Sequence, residues 1–336
     1  MSRETTSHKP TDSRAPLSEA QKSAAAAFMG QTLKKGIKTL KVEFARNPRV
    51  YNMAKCTVFS RNQKLNRYKD VGCLDHNRVR VAGANPDEYI HANYVGTFLS
   101  PKRFICAQGP MDATCGHFWM MVIQEKVESI IMLCEYEELH KPKCARYYPE
   151  EKGQEMTFQT PEHGPIILTN ELERDFKFRH ETPVKIRVCT LKVAGLGSEM
   201  TVTHYHWVKW PDRGAPPPDE APIELLEKVA NKHAVPIVVH CSAGIGRTGS
   251  IVLLQAIQEK ILVQACEQFE VEDLLKECRE SRAALVQMGP QYYYVHEVLL
   301  NHYYRRLGSA VAGCEKNLKN FTVDYNKALA ETTNNK

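Results

Sequence analysis

Apolar residues recur at two spacings along this chain, and the change from one to the other marks out its elements. Ser18-Glu-Ala-Gln-Lys-Ser-Ala-Ala-Ala-Ala-Phe reads as a capped helix, because the serine oxygen can accept a backbone N–H that the first turn leaves unpaired. Leu33, Ile37, Leu40 and Phe44 repeat at helical spacing and predict a second helix. From about residue 88 the texture turns to short β-like runs at Tyr89–Val95, Phe104–Ala107, Ser129–Cys134 and Lys185–Val193. A helix from Thr114 to Lys126 is expected between the second and third of these. Thr201-Val-Thr-His-Tyr-His-Trp-Val alternates like a half-buried strand and puts His204 and His206 on one face. With no third ligand suggested, that pair is read as packing against a neighbour and not as a metal site.

The last third alternates cleanly. A helix at Pro222–His233 precedes the apolar strand Pro236-Ile-Val-Val, a glycine-rich turn, and a helix at Thr248–Val263 with Ile251, Leu254, Ile257 and Ile261 on one face. Two further helices are expected near 270–282 and 290–307. No internal repeat and no long linker interrupts the stretch from 35 to 307, which predicts one large α/β domain with a twisted mixed β-sheet flanked by helices. A phosphate-binding loop would lie between a strand and a helix of that domain. Residues 1–34 are expected to form a basic N-terminal extension holding a helix, and residues 308–336 a polar, weakly structured tail.

Composition removes several classes. With 336 residues, 43% of them hydrophobic and 25% charged, the chain is not disordered as a whole. No apolar run approaches the roughly 18 residues of a membrane span, and the start and end carry neither a signal-peptide core nor a lipidation motif, so a cytoplasmic location is expected. Eleven cysteines, none spaced as Cys-x-x-Cys, suggest reduced thiols and neither a disulfide framework nor a zinc ribbon. Residues 1–50 hold ten lysines and arginines against four acids, which accounts for the whole net charge of +6. A solvated extension explains that better than a nucleic-acid partner, and none is expected.

The chemistry concentrates in the turn His240-Cys-Ser-Ala-Gly-Ile-Gly-Arg-Thr-Gly-Ser250. Backbone N–H groups of a tightly wrapped loop spanning Ser242, Ala243, Gly244, Ile245 and Gly246 would point inward, and the helix that follows adds its positive end, so an oxyanion would be held there. The same field favours a thiolate at Cys241, a nucleophile at neutral pH. Arg247, six residues on, offers a planar fork for two phosphate oxygens. A Cys-x5-Arg pair alone is weak; the preceding histidine, the glycines at 244, 246 and 249, and the strand-to-helix setting make this one specific.

This signature is similar to that of the protein tyrosine phosphatases, and further segments resemble the family in order. Lys64-Leu-Asn-Arg-Tyr-Lys-Asp-Val resembles its phosphotyrosine-recognition loop, Asp87–Val95 its first core strand and Ala107-Gln-Gly-Pro the turn after it. Lys143-Cys-Ala-Arg-Tyr-Tyr-Pro resembles the segment that brings a lysine to the site, Trp210-Pro-Asp-Arg-Gly-Ala-Pro the acid-bearing loop, and Gln287-Met-Gly-Pro-Gln the glutamine loop. The resemblance implies hydrolysis of phosphotyrosine in proteins through a cysteinyl-phosphate, with tyrosine-phosphorylated proteins as partners and no metal or other cofactor. Asp212 would be the general acid and then base, because the leaving oxygen departs as an anion unless protonated. Gln287 would place the attacking water, Thr248 would hydrogen-bond the departing sulfur, and His240 would tune the thiolate from behind the loop. Gln291 would support Gln287. Tyr68 would wall a deep cleft that admits tyrosyl phosphate, Asp70 would accept hydrogen bonds from the substrate backbone, and Lys143 would approach Asp212 or the substrate.

The chain departs from the family pattern at Tyr148, where many relatives have tryptophan, and at Met288, where threonine commonly follows the glutamine. Prolines are dense after the acid loop, and Lys69 leaves peptide preference open. A phosphotyrosine-binding pseudophosphatase is the main rival reading, but loss of Cys241, Arg247 or Asp212 would be its mark, and all three are present. A dual-specificity or lipid phosphatase would use the same loop; the Tyr68 segment argues against it.

Overall fold

In a computed structural model, which describes residues 15–49, 51–230 and 234–334, the alternating runs of the sequence assemble into one sheet of nine strands with helices packed around it. The long helix α1 (Glu19–Arg46) leads through α2 (Thr57–Arg61) and β1 (Arg78–Arg80) to the hairpin β2 (Tyr89–Thr97) and β3 (Ser100–Ala107). Helix α3 (Cys115–Gln124), β4 (Ser129–Met132) and a small separate hairpin, β5 (Glu137–Glu138) with β6 (Lys141–Pro142), come next. The antiparallel run β7 (Glu155–Thr160), β8 (Gly164–Asp175), β9 (Lys185–Gly195) and β10 (Ser198–Val208) fills the middle of the chain. After it come α4 (Ala221–Val229), β11 (Ile237–His240), α5 (Gly246–Leu262), α6 (Val271–Ser281), α7 (Gly289–Leu307) and α8 (Glu315–Asn334).

The strand order β1-β2-β3-β11-β4-β10-β9-β8-β7 explains why one short strand reads as an uninterrupted apolar run. β11 is inserted between β3 and β4, parallel to both, with Val239 opposite Cys106 and Ile131, and every one of its residues is buried. A strand covered on both faces has no polar positions to alternate with. β4 and β10 are also parallel, and the remaining neighbours are antiparallel, so the sheet is mixed as expected. His240 ends β11 level with Ala107 and Met132, and the chain turns there from the carboxyl end of a central parallel strand into α5. That edge of a parallel sheet is where α/β folds place their ligands.

Three expectations about the ends are corrected. The two expected N-terminal helices are present as two stretches of α1 that meet at a kink at Gly36 (φ 61, ψ 172), but Leu33 belongs to the first stretch and not to the second. Ala24, Ala25, Phe28, Met29 and Leu40 of α1 are buried, and its helix packs on α5, α7 and α8. Nor are its cations simply solvated: Lys35 pairs with Glu43 at 2.8 Å, Lys41 with Glu331 at 2.7 Å, and Arg46 with Glu272. Finally, the segment after 308 is not weakly structured. Phe321, Tyr325 and Ala328 recur every three to four residues along α8 and are buried, giving a polar-looking helix one apolar stripe for α1 and α7. The expected helix end at His233 lies outside the described residues.

Other differences are smaller. α3 stops at Gln124, with Lys126 in left-handed backbone, and β4 ends at Met132, short of Cys134. The strands β7 and β8 went unpredicted; their full burial is confined to Thr160, Ile166, Leu168 and Asn170.

Candidate active site

Four segments far apart in sequence converge at the carboxyl end of β11. The loop after it wraps tightly because Gly244 adopts φ +69, where a Cβ would lie 2.0 Å from the Ala107 carbonyl oxygen. α5 begins directly beyond, at Gly246. Cys241 is 3% exposed and sits at the floor of a cleft of about 720 Å³. Thr248 Oγ1, in the first turn of α5, donates to Cys241 Sγ at 3.4 Å. His240 lies behind the loop. Its Nδ1–H donates to the Cys241 carbonyl at 3.2 Å, which leaves Nε2 to accept from the Tyr147 hydroxyl at 2.6 Å. Burial holds the His240 imidazole neutral, with its pKa pushed down to about 3.

Arg247 is nearly inaccessible and held from three sides. Its terminal nitrogens donate to both carboxylate oxygens of Glu138, to the Trp210 carbonyl at 3.1 Å and to Asp212 Oδ1 at 3.1 Å. Burial alone would lower its pKa, but the Glu138 carboxylate more than offsets this, so the guanidinium is a fixed cation. Asp212 is shared, because Lys143 Nζ donates to its other oxygen at 2.7 Å. Burial pushes the Asp212 carboxyl up, yet Lys143 and Arg247 together bring it below the usual carboxylate range. The acid loop therefore stands over the cleft in contact with the arginine, and the expected Lys143–Asp212 approach is present.

The remaining expected residues take distinct places. Tyr68 lines the cleft, and its hydroxyl donates to Ser242 Oγ at 2.8 Å while Ser242 donates to the Lys143 carbonyl at 3.0 Å. Asp70 is exposed on the same wall. Gln287 and Gln291 face the loop at Gly246, where a Cβ would meet them at 3.1 and 2.8 Å. Gln291 is committed to structure as well, since its Oε1 accepts the Met288 N–H at 3.0 Å and so caps α7. Ser242, Ala243 and Gly246 line the cleft. Gly244 and Ile245 do not: the first turns to Ala107, and the second packs with Val71 and Ala284 beneath the loop.

A family model for protein-tyrosine phosphatases matches residues 62–301, the span that holds every one of these groups. The chain belongs to the protein-tyrosine phosphatase family. It is 33% identical over 293 residues to the receptor-type tyrosine-protein phosphatase C of Rattus norvegicus, covering 82% of this chain and 22% of that protein. It is 32% identical over 238 residues to the human non-receptor type 2 enzyme, covering 69% of this chain and 54% of that one. The chain thus spans about half the length of one relative and about a fifth of the other. Among solved structures, PTPN18 in complex with HER2 phosphopeptides superposes with a TM-score of 0.70 at 26% identity, over 83% of this chain and 99% of that one.

Two residues of this phosphatase fold escaped the sequence reading. Glu138 grips Arg247 from the β5–β6 hairpin, and nothing in the acid-rich run Glu135-Tyr-Glu-Glu-Leu singles it out. Arg282, fully buried, braces the loop from beneath by donating to the carbonyls of Ala243 and Gly244 and to Asn93 Oδ1 and His91 Nδ1. Its signal would have been an arginine in an otherwise apolar neighbourhood, visible only once the loop is built. Tyr148 fills its site by stacking on His204, with centroids 3.8 Å apart, and by bonding His206 Nδ1 at 3.2 Å. Both histidines are therefore core residues. Cys134 and Cys144 join His240 behind the loop, with ligand-type atoms within 4.8 Å of one another. Both ring nitrogens of His240 already have partners, so that group is a packed, hydrogen-bonded part of the core.

Proposed function

We propose that this chain hydrolyses phosphotyrosine in proteins through a phosphate ester of the Cys241 sulfur. The observation that carries the reading is the meeting of Cys241 and Arg247, from one loop, with Asp212, from another, in one cleft walled by Tyr68. Substrate phosphate would replace the Asp212 carboxylate on the arginine fork. With a dianion beside it and the arginine engaged elsewhere, Asp212 gains affinity for a proton and becomes the acid that the leaving tyrosyl oxygen requires. Cys241 Sγ bonds to phosphorus as the P–O(tyrosyl) bond breaks, and the proton on Asp212 passes to the tyrosyl oxygen. Water oriented by Gln287 then attacks, gives its proton to Asp212, and expels the thiolate, which the Thr248 hydroxyl stabilises by hydrogen bonding.

Selectivity for tyrosine follows from depth. The thiol lies at the cleft floor, and an aromatic ring reaches it past Tyr68 where a serine or threonine phosphate would stop short. Asp70 on the exposed rim suits the substrate backbone N–H groups. Thiolate chemistry suits a reducing, cytoplasmic setting, and none of the eleven cysteines is in a disulfide. Among the described residues no helix is long and apolar enough to cross a membrane. PTPN18 bound to HER2 phosphopeptides supports tyrosine-phosphorylated proteins as the partners of this fold.

The test is phosphate release, with chelator present, from a phosphotyrosyl peptide and its phosphoseryl twin. Turnover should be confined to the tyrosyl peptide, abolished in Cys241→Ser, and slowed about 100-fold or more in Asp212→Ala. Turnover of both peptides at equal rates, or survival in Cys241→Ser, contradicts the reading.

A further inference from the structure

The mouth of the cleft carries side chains that the chemistry of the reaction does not use and that the fold does not need. The β5–β6 hairpin is closed by Leu139 and His140, both in left-handed backbone at φ 51 and 58. A two-residue turn of that shape favours asparagine and glycine, and leucine there is strained. Leu139 is nonetheless 82% exposed, so its strain is not offset by burial in the core. Across the mouth, Arg213 follows the acid Asp212 and is likewise left-handed, at φ 56, and exposed. Backbone strain at a site whose side chain packs against nothing is an observation that points toward function.

The position of this rim is fixed. Glu138, next to Leu139, holds Arg247 with both carboxylate oxygens, which ties the hairpin to the phosphate-binding arginine. Leu139, Lys141 and Arg213 all border the same cleft. Of the acids that line the cleft, Glu138 is occupied by Arg247 and Asp212 by Lys143 and Arg247, while Asp70 stands exposed on the Tyr68 wall. Lys141 and Arg213 form no ion pair among the described residues, and both are exposed. The field of Arg213 reaches into the mouth, where it contributes to holding Asp212 ionised.

We propose that the Leu139 tip, Lys141 and Arg213 form a peptide-reading subsite that takes an acidic residue beside the substrate phosphotyrosine. The carboxylate meets the two cations, and the aliphatic stem of a glutamate lies along Leu139, as long polar side chains do on apolar surface. The proposal rests on the phosphatase reading and narrows it to phosphotyrosyl segments with acidic flanks.

The experiment compares two phosphotyrosyl peptides that differ only in glutamate or glutamine at the residues flanking the phosphotyrosine. Each is assayed with the full chain, wild type and variants, and the readout is the ratio of the two kcat/KM values, which cancels any change common to both. Wild type should favour the acidic peptide about tenfold or more at low salt, less at high salt. Arg213→Gln with Lys141→Gln should bring the ratio near one, and Arg213→Glu should invert it. A wild-type ratio at or below one, or a ratio that survives the double substitution, overturns the subsite. If wild type turns over neither peptide nor a simple aryl phosphate, the phosphatase reading fails separately. The same ratio is then read from dissociation constants of the two labelled peptides, with the same outcomes deciding.

Discussion

Asp212 and Lys143 hold each other at the cleft, and this contact sets a sign that can be measured. The hydrogen bond and charge of Lys143 help keep the Asp212 carboxyl below its ordinary range, so Lys143→Met lets that pKa rise. The acid form then persists to higher pH, and the alkaline limb of kcat/KM should move upward. A limb that stays put or moves down contradicts the pairing. At Gly244 the argument is steric. Gly244→Ala would force a left-handed alanine and set its Cβ 2.0 Å from the Ala107 oxygen, so the loop must shift. The expected loss is about 2 kcal/mol or more in urea unfolding, together with most of the activity. The sequence disclosed Cys241, Arg247 and Asp212 because each belongs to a segment with its own spacing. Glu138 and Arg282 stayed hidden because their roles exist only between segments, as partners of a side chain or a carbonyl brought from elsewhere.

At the scale of elements, local periodicity was legible where one face of a helix or strand is buried. β11 and α5 show their apolar patterns plainly, and the glycine-rich turn between them follows. α8 shows less, since only Phe321, Tyr325 and Ala328 are fully buried, with Leu318 and Leu329 packing beside them among mostly polar residues. β7 and the first half of β8 do alternate, but Met156 and Phe158 are only half-buried and exposed Ile167 sits between buried Ile166 and Leu168, so the alternation of burial is blurred in the residue types. The helix α8 is nevertheless structural. Phe321→Ala should cost about 3 kcal/mol in chemical denaturation, as large-to-small changes at buried aromatic sites do. Truncation at residue 35 would remove Phe28 and Met29 from the core and should likewise lower stability, where a loose arm would leave it unchanged.

The whole molecule buries neutral histidines, and this predicts its response to acid. Burial holds His91 and His240 to about 3 and His296 to about 4, against an ordinary 6.5. Below pH 6.5 the unfolded chain takes up protons that the folded chain refuses. The stability these residues contribute is complete above that pH and is lost as pH falls toward 4, by up to about 1.4 kcal/mol per unit for each histidine. Glu220 and Glu272, held to about 2, add to the loss only below their ordinary 4.5, and buried Glu297, pushed up, acts in the opposite sense just above it, so the upper part of the window below 6.5 reports the histidines. The urea midpoint should fall clearly between pH 7.5 and 5.5, and an unchanged midpoint would contradict the burial. The central claim is the covalent one, that phosphate passes through the Cys241 sulfur. Gln287→Ala should slow its hydrolysis, so acid quench of that variant during turnover of a phosphotyrosyl peptide, followed by peptide mass spectrometry, reads the claim directly. The account predicts a phosphate adduct on the peptide containing Cys241 that vanishes in Cys241→Ser; turnover with no adduct there, or with phosphate on another residue, would contradict it.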